Sequence, residues 1–387
     1  MDKVLIKDIA EVVNGSTPST KENSYWDGNI PWITPKDLSA FSGRYISSGE
    51  RNITKEGYLS CSTTLVPKNT ILLTSRAPIG YLAIAKNDLC TNQGFKSLIC
   101  NQSKVLPLYM FYWLSTKIEF LKSISGGATF KELSKTSLEN VVMDLPNIVQ
   151  QQHIVDTIGT IDDLIEKKLQ TTTKIDQLAQ KTFDANFASV REKTYALREI
   201  CDFITGYSYK GNELKESSMG MISIKCIERD NGFRREGIKS LCPNKQIPNE
   251  KRCNINDILV CHTDLTKNQD IIGRPILVPT KGTYSSLTYS MDLVKVFPKS
   301  NKFSNALIFR ILNSNLFKKH ALGFCSGTTV VHLSKKALQT YLFTGPSQGF
   351  EKLSENLQNF QNQINILTSE TDILENQKSL LLSKYFS

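Results

Sequence analysis

Ile154-Val-Asp-Thr-Ile-Gly-Thr-Ile-Asp-Asp-Leu-Ile165 decides the fold of this chain, because its isoleucines recur at every third or fourth position. The same spacing continues more loosely to Ile175 and Ala179, within a run from Gln150 to Phe187 that contains no proline. This spacing predicts one long helix with a narrow apolar seam. An ordinary amphipathic helix lying on a domain is the alternative, but roughly ten turns exceed the usual length of a globular helix.

The C-terminal residues repeat this pattern, and the two runs align when Ile154 is placed on Leu353 and Ile175 on Leu374. Two seams of equal length and phase predict two helices that pack on each other. The domain between them begins where the first helix ends, so the second helix must run back along the first. The predicted seam residues are Ile154, Ile158, Ile161, Ile165 and Ile175 in the first helix and Leu353, Leu357, Phe360, Ile364, Leu367, Leu374 and Leu381 in the second.

Repeats also precede both helices, which indicates that the chain is duplicated. Three pairs of blocks match in the same order: residues 7–15 with 198–206, 69–73 with 256–260, and 127–138 with 327–338. Similarity over so many blocks in one order is improbable by chance. The chain therefore consists of a globular half, a long helix, a second globular half and a second long helix.

The predicted fold class is α+β, with two similar mixed α/β domains separated by an antiparallel pair of long coiled-coil helices. The internal duplication gives this arrangement an approximate two-fold symmetry. Each globular half has an ordinary domain size. The predicted boundaries are 1–147 for the first domain, 148–190 for the first helix, 191–346 for the second domain and 347–387 for the second helix.

The amino-acid composition indicates which kinds of molecule the chain could bind and where it could be located. Lysine and arginine number 47 against 37 acidic residues, which gives a net charge of +10 and a pI near 9.0. This excess is compatible with nucleic acid but does not require it. We find no signal peptide and no run that could span a bilayer. Nine cysteines without a Cys-x-x-Cys pair, and four histidines without zinc-ligand spacing, are typical of reduced thiols in a cytoplasmic protein.

The motifs of catalysis are missing from the sequence. The polar segment Ser16–Lys21 lacks the Gly-Lys-Ser/Thr ending of a phosphate-binding loop. No cofactor glycine loop or Asn/Asp-Pro-Pro-aromatic corner of a DNA methyltransferase is present, and the Glu213-Leu-Lys215 spacing of a nuclease is expected by chance. A lone histidine such as His262 is more often a polar contact than a nucleophilic site. These observations disfavour a self-contained methyltransferase or nuclease, while a DNA-independent coiled-coil adaptor remains an alternative.

Several segments together resemble a known protein family. They are Ile6-Lys-Asp-Ile-Ala-Glu-Val-Val-Asn-Gly-Ser-Thr-Pro18, Ile30-Pro-Trp-Ile-Thr-Pro-Lys-Asp-Leu38, Ser75-Arg-Ala-Pro-Ile-Gly80 with Thr91-Asn-Gln-Gly94, and Leu145-Pro-Asn-Ile-Val-Gln-Gln-Gln-His-Ile-Val155. Singly each is weak, but in this combination the whole chain resembles the specificity (S) subunit of type I restriction–modification systems. The second half departs from the pattern, since Gly345-Pro-Ser-Gln348 replaces the leucine-proline entry to the helix and the Arg-Ala-Pro turn is missing.

The resemblance implies a non-catalytic subunit with two target-recognition domains, each of which reads one half of a bipartite site in double-stranded DNA. It further implies that the subunit docks two modification (methyltransferase) subunits, which restriction (translocase/nuclease) subunits can join. S-adenosylmethionine, ATP and magnesium would then be bound by those partners, and this chain would hold no cofactor or metal. Two similar domains separated by the helices could meet successive major grooves.

Loops on a rigid scaffold usually present the contacts to a ligand, so the candidate DNA-binding residues lie in loops. Cationic side chains can reach phosphates or guanine edges, and hydroxyl, amide and imidazole groups can bond to bases. The cationic candidates are Lys21, Lys36, Arg76, Lys96, Lys210, Arg234, Arg235 and Lys267. The hydrogen-bonding candidates are Ser16, Thr17, Thr34, Asn92, Gln93, His262, Thr263, Thr328 and Thr329. For each lysine, a solvated surface charge is the competing interpretation.

The two helices should act as a ruler for the unread gap in the DNA site. Seven residues added to both helices at matched positions preserve the seam and separate the domains by about 10 Å. That distance corresponds to roughly three base pairs. Methylome sequencing of the doubly extended variant should therefore show a longer gap, whereas an active variant with the original gap would contradict the ruler.

Overall fold

The computed structural model describes residues 2–39, 41, 43–127, 131–187, 192–228, 232–266, 268–327 and 330–386. The chain divides into two compact units: unit 1 is Met1–Glu166 with Ile373–Ser387, and unit 2 is Lys167–Asp372. Two long helices contribute a segment to each unit. The central helix is Ile148–Phe187 and the C-terminal helix is Phe350–Phe386, with 40 and 37 residues. Both lie within the segments that the sequence predicts for them.

Unit 1 is built on a five-stranded sheet with the order β2-β9-β6-β7-β4, a three-stranded sheet β5-β3-β8 and an antiparallel pair β1-β10. Its strands are β1 Asp2–Leu5, β2 Ala10–Asn14, β3 Trp26–Ile33, β4 Tyr45–Ile46, β5 Arg51–Ile53, β6 Ile71–Ser75, β7 Ile79–Ala85, β8 Cys90–Thr91, β9 Phe95–Cys100 and β10 Val142–Leu145. Its shorter α-helices are Ile6–Ile9, Pro35–Ser39, Lys55–Leu59, Pro107–Thr116, Ile118–Ser123 and Lys135–Glu139. Strand β6 lies inside the larger sheet, and all five of its residues are buried.

The core of unit 1 lies between the larger sheet and the long helices. Tyr109 and Tyr112, on the helix Pro107–Thr116, are both nearly inaccessible to solvent. They share an apolar cluster with Ile158 of the central helix and Phe386 of the C-terminal helix. The long helices are therefore part of the hydrophobic core of this unit, which explains why their apolar stripe is required.

Charged contacts hold the central helix against the rest of unit 1. The Arg44 guanidinium is 8% exposed and pairs with Asp163 and with Glu166, whose carboxylate lies 2.9 Å from Nε. Asp162 accepts a hydrogen bond from the Tyr112 hydroxyl at 2.7 Å. Burial alone would lower the pKa of Arg44, but the bonds to Glu166 and Asp163 outweigh it and raise that pKa. The cation therefore stays charged in a position where an unpaired charge would be unfavourable.

Unit 2 has a four-stranded sheet β12-β20-β16-β18, a second sheet β14-β13-β19-β15, a small sheet β17-β22-β21 and the pair β11-β23. Its strands are β11 Lys193–Ala196, β12 Cys201–Thr205, β13 Met219–Ile222, β14 Lys239–Ser240, β15 Arg252–Cys253, β16 Ile258–Cys261, β17 Thr263–Asp264, β18 Pro275–Leu277, β19 Ser286–Tyr289, β20 Leu293–Pro298, β21 Cys325–Ser326, β22 Val331–Leu333 and β23 Leu342–Gly345. Its shorter α-helices are Leu197–Ile200, Asn305–Leu312, Asn315–Leu322 and Lys336–Thr340.

The internal duplication predicted from the sequence is present in the topology. The strand order β12-β20-β16-β18 of unit 2 repeats β2-β9-β6-β7 of unit 1, and every pairing in both sets is antiparallel. The matched blocks also share backbone detail, since Asn69 and Asn256 both adopt a φ of 72°. Asparagine is one of the few side chains that tolerate this left-handed conformation. The predicted mixed α/β class with two long helices is therefore confirmed.

The two long helices run antiparallel within each unit. In unit 2, Lys168 pairs with Glu370 at 2.7 Å, while Phe187 packs edge-on against Phe350. In unit 1, Lys378 pairs with Asp162 at 2.7 Å. Four predicted seam residues are buried, namely Ile154, Ile158, Leu353 and Leu357. The remaining eight are partly buried: Ile161, Ile165, Ile175, Phe360, Ile364, Leu367, Leu374 and Leu381.

The described residues contain no helix that combines the length and the apolar character needed to cross a membrane. Likewise, the described histidine, cysteine and acidic side chains form no group of three that could hold a metal ion. All nine cysteines are free thiols. Burial raises the pKa of Cys201 and Cys253 to about 12 each, so these two thiols stay protonated at neutral pH.

Truncation of a seam residue tests the role of the helices in the core of unit 1. Ile158 is fully buried, so Ile158→Ala should lower the free energy of unfolding by about 2–5 kcal/mol. Leu164 lies on the same helix but is 44% exposed. Leu164→Ala should therefore change the free energy of unfolding by less than about 1 kcal/mol. The three tryptophans, Trp26, Trp32 and Trp113, all belong to unit 1, so urea unfolding followed by tryptophan fluorescence reports on this unit. Equal effects of both substitutions would contradict the assigned seam.

Candidate nucleic-acid interface

Five segments of unit 1 meet at the ends of its strands, and we call them the loop cluster: residues 15–17, 34–35, 75–76, 91–94 and 132–133. Backbone hydrogen bonds join them in sequence. The amide of Ser16 donates to the carbonyl of Thr91 at 3.0 Å, and the amide of Ser75 donates to the carbonyl of Gly94 at 2.7 Å. The amide of Leu133 donates to the carbonyl of Ser75 at 3.0 Å. Segments that are far apart in sequence thus form one continuous surface.

A glycine is required where the first of these segments meets the fourth. A Cβ atom at Gly15 would lie 2.2 Å from the carbonyl oxygens of both Thr91 and Asn92. Gly94 has a similar constraint, because its Cβ would lie 2.8 Å from the Cγ atom of Pro35. Gly15 therefore lets two backbone segments approach closely, and Gly94 makes room for the Pro35 ring.

The polar side chains of the loop cluster divide into two groups. Thr34 donates from its amide and its hydroxyl to Asp37, and Asn92 accepts from the amide of Gly94 at 2.8 Å. These two side chains shape the turns. Thr17 instead bonds to the exposed side chain of Gln93, so this pair is presented to the solvent. Thr17 and Gln93 are consequently better placed than Thr34 and Asn92 to bond to a base.

The carbonyl of Ser16 accepts a hydrogen bond from the indole of Trp32 at 3.0 Å, so this residue contributes structure through its backbone. Lys21 is exposed. Lys36 is also exposed and forms a 2.6 Å ion pair with Glu50, whose hydrogen bond raises the pKa of the lysine. An ion pair at such an exposed position is weak, so Lys36 can exchange Glu50 for a phosphate.

Arg76 and Lys96 both contact Glu132, which sequence reasoning did not include among the candidates. Nη1 of Arg76 lies 3.6 Å from Oε2 of Glu132, and Nζ of Lys96 lies 3.4 Å from Oε1. The Lys96 side chain is 8% exposed, whereas those of Arg76 and Glu132 are 40% and 42% exposed. Lys96 is therefore too buried to reach a phosphate directly, and its influence on a ligand would pass through Glu132.

Unit 2 presents a corresponding corner at His262 and Thr263. The amide of Leu333 donates to the carbonyl of His262 at 2.9 Å, as that of Leu133 donates to Ser75 in unit 1. Thr263 Oγ1 lies 3.4 Å from Nδ1 of His332, which is exposed. Burial, followed by the nearby charge of Lys335, lowers the pKa of His262. His262 is thus neutral at pH 7, and among the described residues its Nε2 has no hydrogen-bond partner.

The acidic residues near this corner have structural roles. Asp264 is fully buried and accepts from the amides of Ile271 and Ile272 at 2.8 Å each. Glu213 is also buried, and backbone hydrogen bonds from Asn244 and Lys210 lower its pKa. Each of these carboxylates stabilises its surrounding loop by accepting hydrogen bonds from backbone amides. The Glu-x-Lys spacing that includes Glu213 is explained by this role.

The remaining cationic candidates of unit 2 lie in different surroundings. Lys210 is exposed, and Arg234 is exposed beside Glu228 at 3.3 Å. Arg235 is directed to Asp372 on the C-terminal helix, so it fastens the globular part of unit 2 to that helix. Lys267, Thr328 and Thr329 lie outside the described residues. As DNA contacts, all of these residues stay predictions.

The chain is similar to known proteins over this region and beyond it. A family model described as a type I restriction modification DNA specificity domain matches residues 1–177. The type I restriction enzyme MjaIX specificity subunit of Methanocaldococcus jannaschii is 51% identical over 180 residues, which cover 46% of this chain and 41% of that subunit. Residues 1–177 therefore resemble a type I DNA specificity domain. This match spans about two fifths of the relative's length.

Two further similarities extend over both units. The MjaVIII specificity subunit of the same organism is 23% identical, in a match that covers 98% of this chain and 90% of that subunit. The S subunit of a type I restriction–modification system from M. genitalium has a TM-score of 0.61 and 15% identity, over 100% of this chain and 96% of that chain. At this identity the structural likeness concerns the fold. The likeness of fold to that S subunit thus extends beyond residues 1–177 into the second half of the chain.

Glu132 was missed because a carboxylate is an unusual candidate for a surface that binds a polyanion. A signal for it existed in the sequence, since residue 132 lies in the matched blocks 127–138 and 327–338. The two blocks agree at Leu133 and Leu333 but carry Glu132 against His332 one position earlier. A position that changes its chemistry inside a repeated block is the place to look for divergent recognition.

Substitution of Gly15 tests whether the loop cluster depends on close backbone approach. Gly15→Ala should lower the free energy of unfolding of unit 1 by about 1–3 kcal/mol, because the new methyl group overlaps two carbonyl oxygens. The matched control is Gly159→Ala on the central helix, where the nearest atom to the new Cβ is at 3.8 Å. This control should be stabilising by up to about 1 kcal/mol, since glycine is unfavourable inside a helix. Fluorescence-monitored urea unfolding measures both, and a neutral Gly15→Ala would refute the packing argument.

Proposed function

We propose that this chain is the DNA sequence-recognition subunit of a type I restriction–modification complex, and that each unit reads one half of a bipartite site. The observation that carries the proposal is the loop cluster of unit 1 together with its counterpart in unit 2. Both are built on the same backbone hydrogen bond, to Ser75 in one and to His262 in the other, yet they present different side chains. Two copies of one scaffold with different contact groups are suited to two different sequences.

The charges around these loops favour a phosphate backbone as the ligand. Lys21, Lys210 and Arg234 are exposed, and the chain carries a net charge of +10. Phosphate contacts of this kind fix the position of a protein on the duplex, while groups such as Gln93 and Thr17 are available for base edges. The carboxylates Asp264 and Glu213 accept hydrogen bonds from backbone amides in their own loops.

Catalysis would belong to partner subunits in this proposal. Two modification subunits would bind the helical region, and restriction subunits would join them. S-adenosylmethionine, ATP and magnesium would be held by those subunits rather than by this chain. The support for these partners is that the relatives are named as specificity subunits of type I restriction enzymes. The long helices would also set the number of unread base pairs between the two half-sites.

The test begins with methylome sequencing of cells that express the chain with a modification subunit, which defines the methylated motif. Binding of the purified complex to a duplex with that motif is then measured at several salt concentrations. The logarithm of the binding constant should fall linearly with the logarithm of salt, with a slope of about −0.9 for each phosphate contacted. A duplex with a scrambled motif is the control, and it should bind far more weakly.

Methyl transfer by the chain alone is the second arm of the experiment. We expect no transfer without the modification subunit and robust transfer with it. Transfer by the chain free of partners would identify it as a methyltransferase. Absence of salt-dependent DNA binding by the complex would instead favour a DNA-independent coiled-coil adaptor.

A further inference from the structure

One position of the repeated scaffold carries different side-chain pairs in the two units. The backbone bonds from Leu133 to Ser75 and from Leu333 to His262 place Arg76 in correspondence with Thr263 and Glu132 with His332. In unit 1 the pair consists of a cation and an anion at 3.6 Å. In unit 2 it consists of a hydroxyl and an imidazole at 3.4 Å. The backbone hydrogen bond is the same in both units, but the side-chain donors and acceptors differ. This is the behaviour expected of a position that determines sequence specificity.

In unit 1 the buried side chain of Lys96 holds Glu132 in place. Nζ of this buried lysine lies 3.4 Å from one oxygen of Glu132, and Arg76 lies near the other oxygen. The main chain fixes Glu132 as well, because it exchanges two backbone hydrogen bonds with Gly126, at 2.8 and 3.2 Å. The exposed arginine and carboxylate are therefore held side by side before any ligand binds. Such preorganisation reduces the entropy that binding must overcome.

The chemistry of the pair matches one kind of base pair. In the major groove, guanine presents two acceptors, N7 and O6, and its partner cytosine presents a donor, the N4 amino group. An arginine beside a carboxylate offers the complementary order of donors followed by an acceptor. We infer that Arg76 and Glu132 read one G·C base pair in the half-site of unit 1, with Arg76 donating to guanine and Glu132 accepting from cytosine. This inference rests on the proposed function.

A purely structural ion pair would behave differently. Exposed ion pairs contribute little to stability, and the scaffold of unit 2 is retained without any charge pair at the corresponding position. Unit 1 also contains a comparison, Lys122 with Glu119, which form an exposed ion pair at 2.7 Å within one short helix. That pair lies outside the loop cluster. Its removal should affect neither DNA binding nor base preference.

The experiment uses the complex of the full chain with a modification subunit and synthetic duplexes that carry the methylated motif. Each guanine of the motif is replaced in turn by 7-deazaguanine, which removes N7 from the major groove and leaves Watson–Crick pairing intact. One guanine should be sensitive, with binding weakened by about 5- to 150-fold. Arg76→Ala should weaken binding to the natural duplex by a similar factor, and should then show no further loss at that guanine.

The Glu132 half of the inference has its own readout. When 2-pyrimidinone, which lacks the amino group, replaces the paired cytosine, wild-type binding should weaken, whereas Glu132→Ala should be insensitive to the replacement. Glu119→Ala and Lys122→Ala are the matched controls, and they should retain full sensitivity to both analogues. Tryptophan fluorescence during urea unfolding verifies that each variant is folded.

The possible failures are distinguishable. If the wild-type complex binds its motif but Arg76→Ala retains the full effect of 7-deazaguanine, the assigned pair is wrong and the proposed function stands. The same holds if no guanine of the motif is sensitive. If the wild-type complex shows no salt-dependent binding to any duplex, the proposed function itself fails, and this inference fails with it.

Discussion

The rest of unit 1 depends on the buried charge of Arg44. Its guanidinium is almost inaccessible to solvent and must be paired, and the central helix supplies Asp163 and Glu166 at the required positions. Loss of a partner would leave an uncompensated buried charge, which is strongly destabilising. Unit 2 uses a comparable contact, because Arg310 is 6% exposed and pairs with Asp176 of the same helix. In each unit, then, the globular part is fastened to its own segment of a long helix by a buried arginine.

Because the buried arginines hold each globular part on its helix, the scaffold does not depend on the side chains of the loops at the strand ends. Four strands of the larger sheet in unit 1 have the same order as the sheet β12-β20-β16-β18 in unit 2. Glycines allow the loops at the strand ends to pack closely, as at Gly15 and Gly206. A Cβ atom at either glycine would lie only 2.2 Å from a backbone carbonyl oxygen, which is far inside van der Waals contact. The loops at the strand ends can therefore differ in side chains, such as Glu132 and His332, without any change in the hydrogen bonds that form the corner. Recognition can diverge between the units while folding does not.

Periodicity and internal repeats predicted the long helices, the duplication and the seam, because these features depend on local spacing. The surroundings of single charged residues could not be predicted this way. Lys96 and Arg235 looked like free loop cations, but one is buried beside Glu132 and the other pairs with a helix. Phe183 is also buried, although it is not among the predicted seam residues. Such details depend on which distant segment packs nearby, and sequence spacing carries no information on that.

Exchange of one domain tests the central claim most directly. Residues 191–346 would be replaced by the corresponding domain of a relative, and the methylated motif of the hybrid complex would be determined by methylome sequencing. If each unit reads its own half-site, one half of the motif changes and the other half is retained. A hybrid in which both halves change, or an active hybrid in which neither half changes, would contradict the assignment of one unit to one half-site.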